Sequence, residues 1–173
     1  LGHIRGGLGM ANIGASMIFA GISGTAVADT ASIGSVMIPA MKKEGYEADF
    51  ACAITASSST IGPIIPPSLP MIIAGSLTGL SIGKLFLAGA IPGLLLAVGL
   101  MITAYLISVR RKHPKRPRAS IKEVGKGFID AFWALLMTFL ILFGIVGGIF
   151  TPTEASIVAV LYAFFVGLFF YRT

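Results

Sequence analysis

Charge is missing from this chain in blocks long enough to cross a bilayer. No Asp, Glu, Lys or Arg occurs between Asp49 and Lys84, a run of 34 residues, nor between Lys84 and Arg110, a run of 25. Uncharged runs also join Asp130 to Glu154 and Glu154 to Arg172, and between Arg5 and Lys42 the only charge is Asp29. A helix needs about 20 apolar residues to cross the hydrocarbon core. Leu85 to Val109 therefore reads as one transmembrane helix, Ala131 to Phe150 as a second and Ala155 to Tyr171 as a shorter third. Of the 173 residues 55% are hydrophobic and 12% charged, against roughly 25% charged in a soluble domain, and the mean hydropathy is +0.92. This is the composition of an all-α integral membrane protein; it excludes a disordered chain, a disulfide scaffold and almost every soluble enzyme. Cys52 is the one cysteine, so there is no disulfide framework and no CxxC metal spacing. His3 and His113 fall outside the apolar stretches, which argues against a buried metal cluster. No apolar run resembles a signal peptide, and a start at Leu1 rather than Met points to part of a longer polypeptide.

The basic residues set an orientation. Eight Lys and Arg (Arg110, Arg111, Lys112, Lys115, Arg116, Arg118, Lys122 and Lys126) stand against one acid, Glu123, in a single short loop. The positive-inside rule makes that loop cytoplasmic, and anionic lipid is its natural partner. No aromatic residue is interleaved with the basic ones, so nucleic acid is not. Further along, Thr151-Pro152-Thr153-Glu154 spells a capping box, with Thr151 as N-cap, proline at the first helical position and Glu154 three residues after the cap.

The first two apolar stretches are too long to be single straight helices. Leu8 to Met41 breaks at Gly21-Ile22-Ser23-Gly24-Thr25, leaving arms of about 15 residues, or roughly 23 Å each. Two short arms meeting at a Gly/Ser/Thr tip describe a re-entrant hairpin. Phe50 to Gly83 breaks at Gly62-Pro63-Ile64-Ile65-Pro66-Pro67-Ser68, because proline removes a backbone donor and clashes with the preceding turn. Backbone broken at membrane depth is tolerated inside protein or against a cavity, and discontinuous helices are the usual construction of secondary-transporter sites. Helix C-termini and unwound carbonyls favour a cation, and helix N-termini favour an anion. The candidate ion-binding residues are therefore Ser23, Gly24, Thr25, Ser57, Ser58, Ser59, Thr60, Gly62 and Pro63. The candidates for substrate binding or gating are Asp29, Pro66, Pro67 and Ser68. Each has a plainer alternative: the hydroxyls can bond to carbonyls one turn back, and Asp29 can act on its own helix dipole. A carboxylate inside a membrane segment is nevertheless functional by default. Gly75-x-x-x-Gly79, Gly89-x-x-x-Gly93 and Gly144-x-x-x-Gly148 permit close helix packing.

The organisation expected is a re-entrant hairpin with its flanking loops over 1–49, a discontinuous helix over 50–84, a helix over 85–109, the basic loop over 110–127, a helix over 128–150 and a capped helix over 151–173.

Several of these segments resemble one family. Gly2-His3-Ile4-Arg5-Gly6-Gly7, Phe19-Ala20-Gly21-Ile22-Ser23-Gly24-Thr25-Ala26-Val27-Ala28-Asp29, Ile38-Pro39-Ala40-Met41-Lys42-Lys43-Glu44-Gly45-Tyr46, Ser57 through Ser68, and Phe150-Thr151-Pro152-Thr153-Glu154-Ala155 are similar to the large, DctM-type membrane subunit of tripartite ATP-independent periplasmic (TRAP) transporters. The chain resembles an internal portion of that subunit. The resemblance implies sodium-coupled uptake of small organic acids, such as C4-dicarboxylates or sialic acid, across a bacterial inner membrane. It implies two partners, a periplasmic binding protein and a small four-helix membrane subunit, with no cofactor beyond the sodium ion. It also implies inverted repeats and an elevator-like motion, with 1–84 in the transport domain and 151–173 approaching the second repeat. The sodium site would lie between Ser23-Gly24-Thr25 and Ser57 to Pro63.

Other classes of function are open to test. Gly21-Ile22-Ser23-Gly24 is similar to the nucleophile element of rhomboid-type intramembrane proteases, but a serine nucleophile needs a base and neither histidine lies in an apolar stretch. A passive channel and a purely structural membrane subunit are the remaining alternatives.

Overall fold

A computed structural model describes residues 4–115 and 121–171, the side chains of 121–124 and 171 excepted. The expectations placed on His3, Arg116, Arg118, Arg172 and the side chains of Lys122 and Glu123 lie outside the described residues. The described chain is helical: α1 (Gly7–Ser23), α2 (Ala26–Lys43), α3 (Ala48–Ser59), α4 (Leu69–Thr78), α5 (Ile82–Arg110), α6 (Ile121–Val146) and α7 (Pro152–Val166), which runs on as a wider π turn over Gly167–Tyr171. Three helical stretches, Ile82–Arg110, Gly125–Val146 and Pro152–Phe170, are long and apolar enough to span a membrane.

The ends of these helices follow from local chemistry. α1 stops where Gly24 takes φ +62° and donates its N–H to the Ala20 carbonyl. Thr25 then caps α2, its Oγ1 accepting from the Ala28 N–H at 3.4 Å. Ser81 caps α5 in the same way, so α5 starts three residues before the expected Leu85 and takes Lys84 into its first turn. α6 begins at Ile121, well before the expected Ala131, and so takes Lys126 and Asp130 into the helix. It ends at Val146 rather than Phe150, because Gly147 and Gly148 follow and Gly148 takes φ +70°.

One core joins α1, α2, α3 and α5, built from Ile13, Met41, Phe50, Ala51, Ile54, Ile61, Ala97 and Ala104. Both ends of the α1–α2 hairpin lie beside the C-terminal end of α5. Gly6, before α1, abuts Ser108, and Tyr46, after α2, packs at a tilt against His113. A second core, Phe86, Ile145 and Ala155, joins the start of α5 to the end of α6 and the start of α7. α6 and α7 then pair as an antiparallel hairpin, with the Tyr162 hydroxyl donating to the Trp133 carbonyl at 2.9 Å.

The two breaks pack against the first half of α5 and the second half of α6. Gly21, next to the tip, packs on Thr138 in the second half of α6. The unwound segment between α3 and α4 packs on the first half of α5: a Cβ at Gly89 would lie 2.5 Å from the Ile64 carbonyl, and one at Gly93 2.5 Å from Ile65 Cγ1. Of the three GxxxG spacings, Gly89/Gly93 alone works as a paired close approach. Gly79 and Gly148 are instead turn residues at φ +71° and +70°, because each falls just past a helix end.

Candidate functional site

The tip of the α1–α2 hairpin and the break between α3 and α4 touch. The Leu69 N–H, at the start of α4, donates to the Gly24 carbonyl at 3.3 Å. A Cβ at Gly24 would lie 3.0 Å from both the Leu69 nitrogen and the Pro67 carbonyl, so glycine is needed there for approach as well as for its positive φ. Asp29 projects into this junction from the first turn of α2 and is fully buried. The Ser23 hydroxyl donates to its Oδ1. Its Oδ2 has no hydrogen-bond partner among the described residues and faces Gly62, where a Cβ would lie 2.5 Å from it and 3.3 Å from the Ser59 carbonyl. An ionised carboxylate held this way needs a compensating positive charge.

The other candidates divide by what their side chains do. Thr25 caps α2. Ser59 is buried and donates to the Thr55 carbonyl at 2.8 Å. Thr60 is exposed and donates to the Ser57 carbonyl at 2.7 Å; Ser57 is exposed too. Ser58 turns toward α1 and shares a 2.8 Å hydrogen bond with Ser16. Ser68 caps α4, accepting from the Met71 N–H, and donates to the Pro63 carbonyl at 2.7 Å. Pro66, joined to Pro67 by a cis bond, lines an apolar cleft with Phe86, Leu87, Leu142 and Phe143. The fold thus gathers Ser23, Gly24, Asp29, Gly62, Pro67 and the Ser59 carbonyl, and gives several hydroxyls plainer duties.

Two groups of residues escaped the sequence reading. Asn12 and Ser16, four apart on α1, face Thr55 and Ser58 on α3 as a buried polar seam, with Asn12 Nδ2 donating to Thr55 Oγ1 at 2.7 Å. The i, i+4 spacing of polar residues in an apolar helix was the available signal. The second group surrounds His113, which is 5% exposed although it lies outside the apolar stretches. Lys112 takes φ +55° and folds the chain back, so the ring packs against both Tyr46 and Phe50. The rhomboid-type alternative loses its support here: Ser23 pairs with a carboxylate, and His113 pairs with Ser108 at the far end of α5.

Fold and site together define a multi-pass, all-α membrane protein built around discontinuous helices. The whole of residues 1–173 matches the family model "Tripartite ATP-independent periplasmic transporter, DctM component", and the chain belongs to that family. It is 47% identical, over its full length, to the sialic acid TRAP transporter large permease protein SiaM of Vibrio cholerae, covering 40% of that protein. It is 46% identical to the sialic acid TRAP transporter permease protein SiaT of Haemophilus influenzae, over 99% of this chain and 28% of the relative. It is 45% identical to the C4-dicarboxylate TRAP transporter large permease protein DctM of Pseudomonas aeruginosa, over 99% of this chain and 40% of the relative. The chain therefore spans less than half the length of these relatives, all of which are named as permease proteins rather than enzymes.

Proposed function

We propose that this chain is the ion-coupling part of a large TRAP permease subunit, and that the junction of the hairpin tip with the α3–α4 break holds a sodium ion during uptake of a small organic acid. The observation that carries this reading is the buried Asp29 carboxylate, with Oδ1 bonded to Ser23 and Oδ2 facing Gly62. A monovalent cation supplies the missing positive charge, and the hydroxyls and carbonyls around it are hard oxygen donors. α2 and α4 both start at this junction, and their N-terminal ends favour a carboxylate. The named substrates of the relatives support an organic acid: sialic acid and C4-dicarboxylate above, and 2,3-diketo-L-gulonate for an Escherichia coli permease protein 43% identical to this chain.

In this proposal the chain lies in a bacterial inner membrane with loop 110–127 cytoplasmic and against anionic lipid. Residues 1–84 belong to a transport domain that moves by an elevator-like step, and 151–173 lead toward a second repeat. A periplasmic binding protein delivers the substrate, and a small four-helix subunit completes the membrane complex.

The test is thermal unfolding of the full-length subunit with its membrane partner, in sodium against potassium at matched ionic strength. An ion that binds only the folded state stabilises by about 2.7 kcal/mol at a hundredfold excess over Kd. A sodium-specific gain is expected, reduced in Ser23→Ala and removed in Asp29→Asn. Equal curves in both salts would remove the sodium site. A passive channel would instead show conductance without a substrate, and a structural subunit would tolerate both substitutions without loss of transport.

A further inference from the structure

At the opposite end of α1 from Asp29, a compact group ties three elements together. Arg111, just past α5, donates to Asp49 Oδ2 at 2.9 Å and to Glu47. His113 follows two residues later. Its ring centroid lies 4.6 Å from those of both Tyr46 and Phe50. Its Nδ1 is 3.0 Å from the Ser108 hydroxyl, and its Nε2 is buried without a hydrogen-bond partner among the described residues. Ser108 in turn abuts Gly6 at the start of α1. The Schellman turn that delivers the ring is complete: the His113 N–H bonds the Ser108 carbonyl at 3.0 Å and the Lys112 N–H bonds the Val109 carbonyl at 3.3 Å.

We propose that His113 is the pin of a proton-sensitive clasp that fastens the C-terminal end of α5 to the turn between α2 and α3. In an imidazolium ring both nitrogens are N–H donors, and the one at buried Nε2 has no acceptor among the described residues, while the Arg111 guanidinium adds a like charge nearby. The charged groups around the ring are Glu47 and Asp49 from the α2–α3 side and Arg111 from its own segment. Arg5 precedes the Gly6 contact, Lys42, Lys43 and Glu44 lie at the end of α2, and Arg110 and Lys112 flank Arg111. Burial outweighs the two carboxylates and holds His113 below its ordinary value of 6.5. The open segment therefore binds a proton more readily than the closed one. The clasp has its full stability above about pH 6.5 and loses it as pH falls through the depressed value below that. The ion pair is unaffected in this window on the Asp49 side, since Arg111 holds that carboxyl below its usual range. Opening would free the turn from which α3 starts toward its break. The inference does not depend on the sodium site.

Hydrogen exchange on the full-length subunit with its membrane partner tests it, between about pH 8 and about pH 5, where unperturbed histidine is the side chain that changes charge. Protection of 44–50 and 106–113, corrected for the intrinsic rate, should fall by up to tenfold per pH unit below about pH 6.5. His113→Phe keeps a ring against Tyr46 and Phe50 and should flatten that dependence. Should it fail to fold, His113→Gln, which keeps a partner for Ser108, carries the same expectation. Protection that does not change with pH in the native chain overturns the clasp. So does an unchanged pH dependence in the variant, which would assign the effect to the carboxylates.

Discussion

Gly62 shows how a single missing methyl group shapes the candidate site. With no Cβ, the backbone after α3 lies directly against Asp29 Oδ2. In Gly62→Ala the new carbon would stand 2.5 Å from that oxygen and 3.3 Å from the Ser59 carbonyl, so backbone or carboxylate must move. Overpacking of this kind costs about 1–3 kcal/mol. The expected outcome is a lower unfolding temperature together with loss of any sodium-specific gain, read in the same paired-salt experiment. Asn12 and Thr55 give a complementary test remote from Asp29. Their buried 2.7 Å hydrogen bond should appear as a coupling of about 0.5–1.5 kcal/mol in the cycle Asn12→Ala, Thr55→Ala and both. A coupling near zero would mean that the seam is packing alone. Asp29 was legible as a residue, since a carboxylate in a membrane stretch stands out. Ser23 and Gly62 were named among the ion-binding candidates, but nothing in their segments marked them as the pair that meets Asp29.

At the scale of the element, what was written locally could be read and what was not could not. The Thr151–Glu154 box forms within four residues: the Thr151 N–H donates to Glu154 Oε2 at 2.8 Å, and the Glu154 N–H donates to Thr151 Oγ1 at 3.3 Å. Thr151→Ala should cost about 1 kcal/mol and raise exchange in the first turn of α7, with little effect on α1–α5. Proline is less transparent. Pro63, Pro66 and Pro67 accompany a real break, yet α2 continues through Pro39 and α5 through Pro92. In α5 the helix around Pro92 is held by Gly89 and Gly93 packing against the unwound Ile64–Ile65, a contact between segments far apart in the chain. The Lys112 turn is the opposite case, where a residue with a Cβ occupies the left-handed position that glycine usually fills. Lys112→Gly should relieve that strain and stabilise the end of α5 by up to about 1 kcal/mol. A loss of stability would instead mean that the lysine side chain contributes more than its backbone costs.

Over the whole molecule, much of the described outward surface is apolar. Leu87, Ile91, Leu94, Leu95, Val98, Ile102 and Leu106 form an exposed stripe along α5, at the three- and four-residue spacing of one helix face. In water such a surface would be an aggregation liability, and in a bilayer it is simply solvated. Leu95, near the middle of α5 and 67% exposed, separates the two environments. Leu95→Arg should cost about 2.5–3.5 kcal/mol of membrane insertion, seen as reduced inserted protein in a translocation assay. Leu87→Arg, nearer the start of the helix, should be milder. Equal insertion of both with the native chain would refute the membrane placement of this face.

The sequence by itself determined the solvent and the segmentation. Uncharged runs of fixed length, a basic loop, two broken stretches and a capping box are properties of consecutive residues, and the physics that reads them acts over a turn or a bilayer thickness. Which residues meet was decided by tertiary structure alone. Gly24 touching Leu69, Gly62 facing Asp29, Asn12 paired with Thr55 and His113 packed against Tyr46 and Phe50 each join residues 33 to 67 positions apart. Such pairs depend on how helices settle against one another, and small residues, which permit close approach without announcing a partner, leave that choice unwritten in the local pattern.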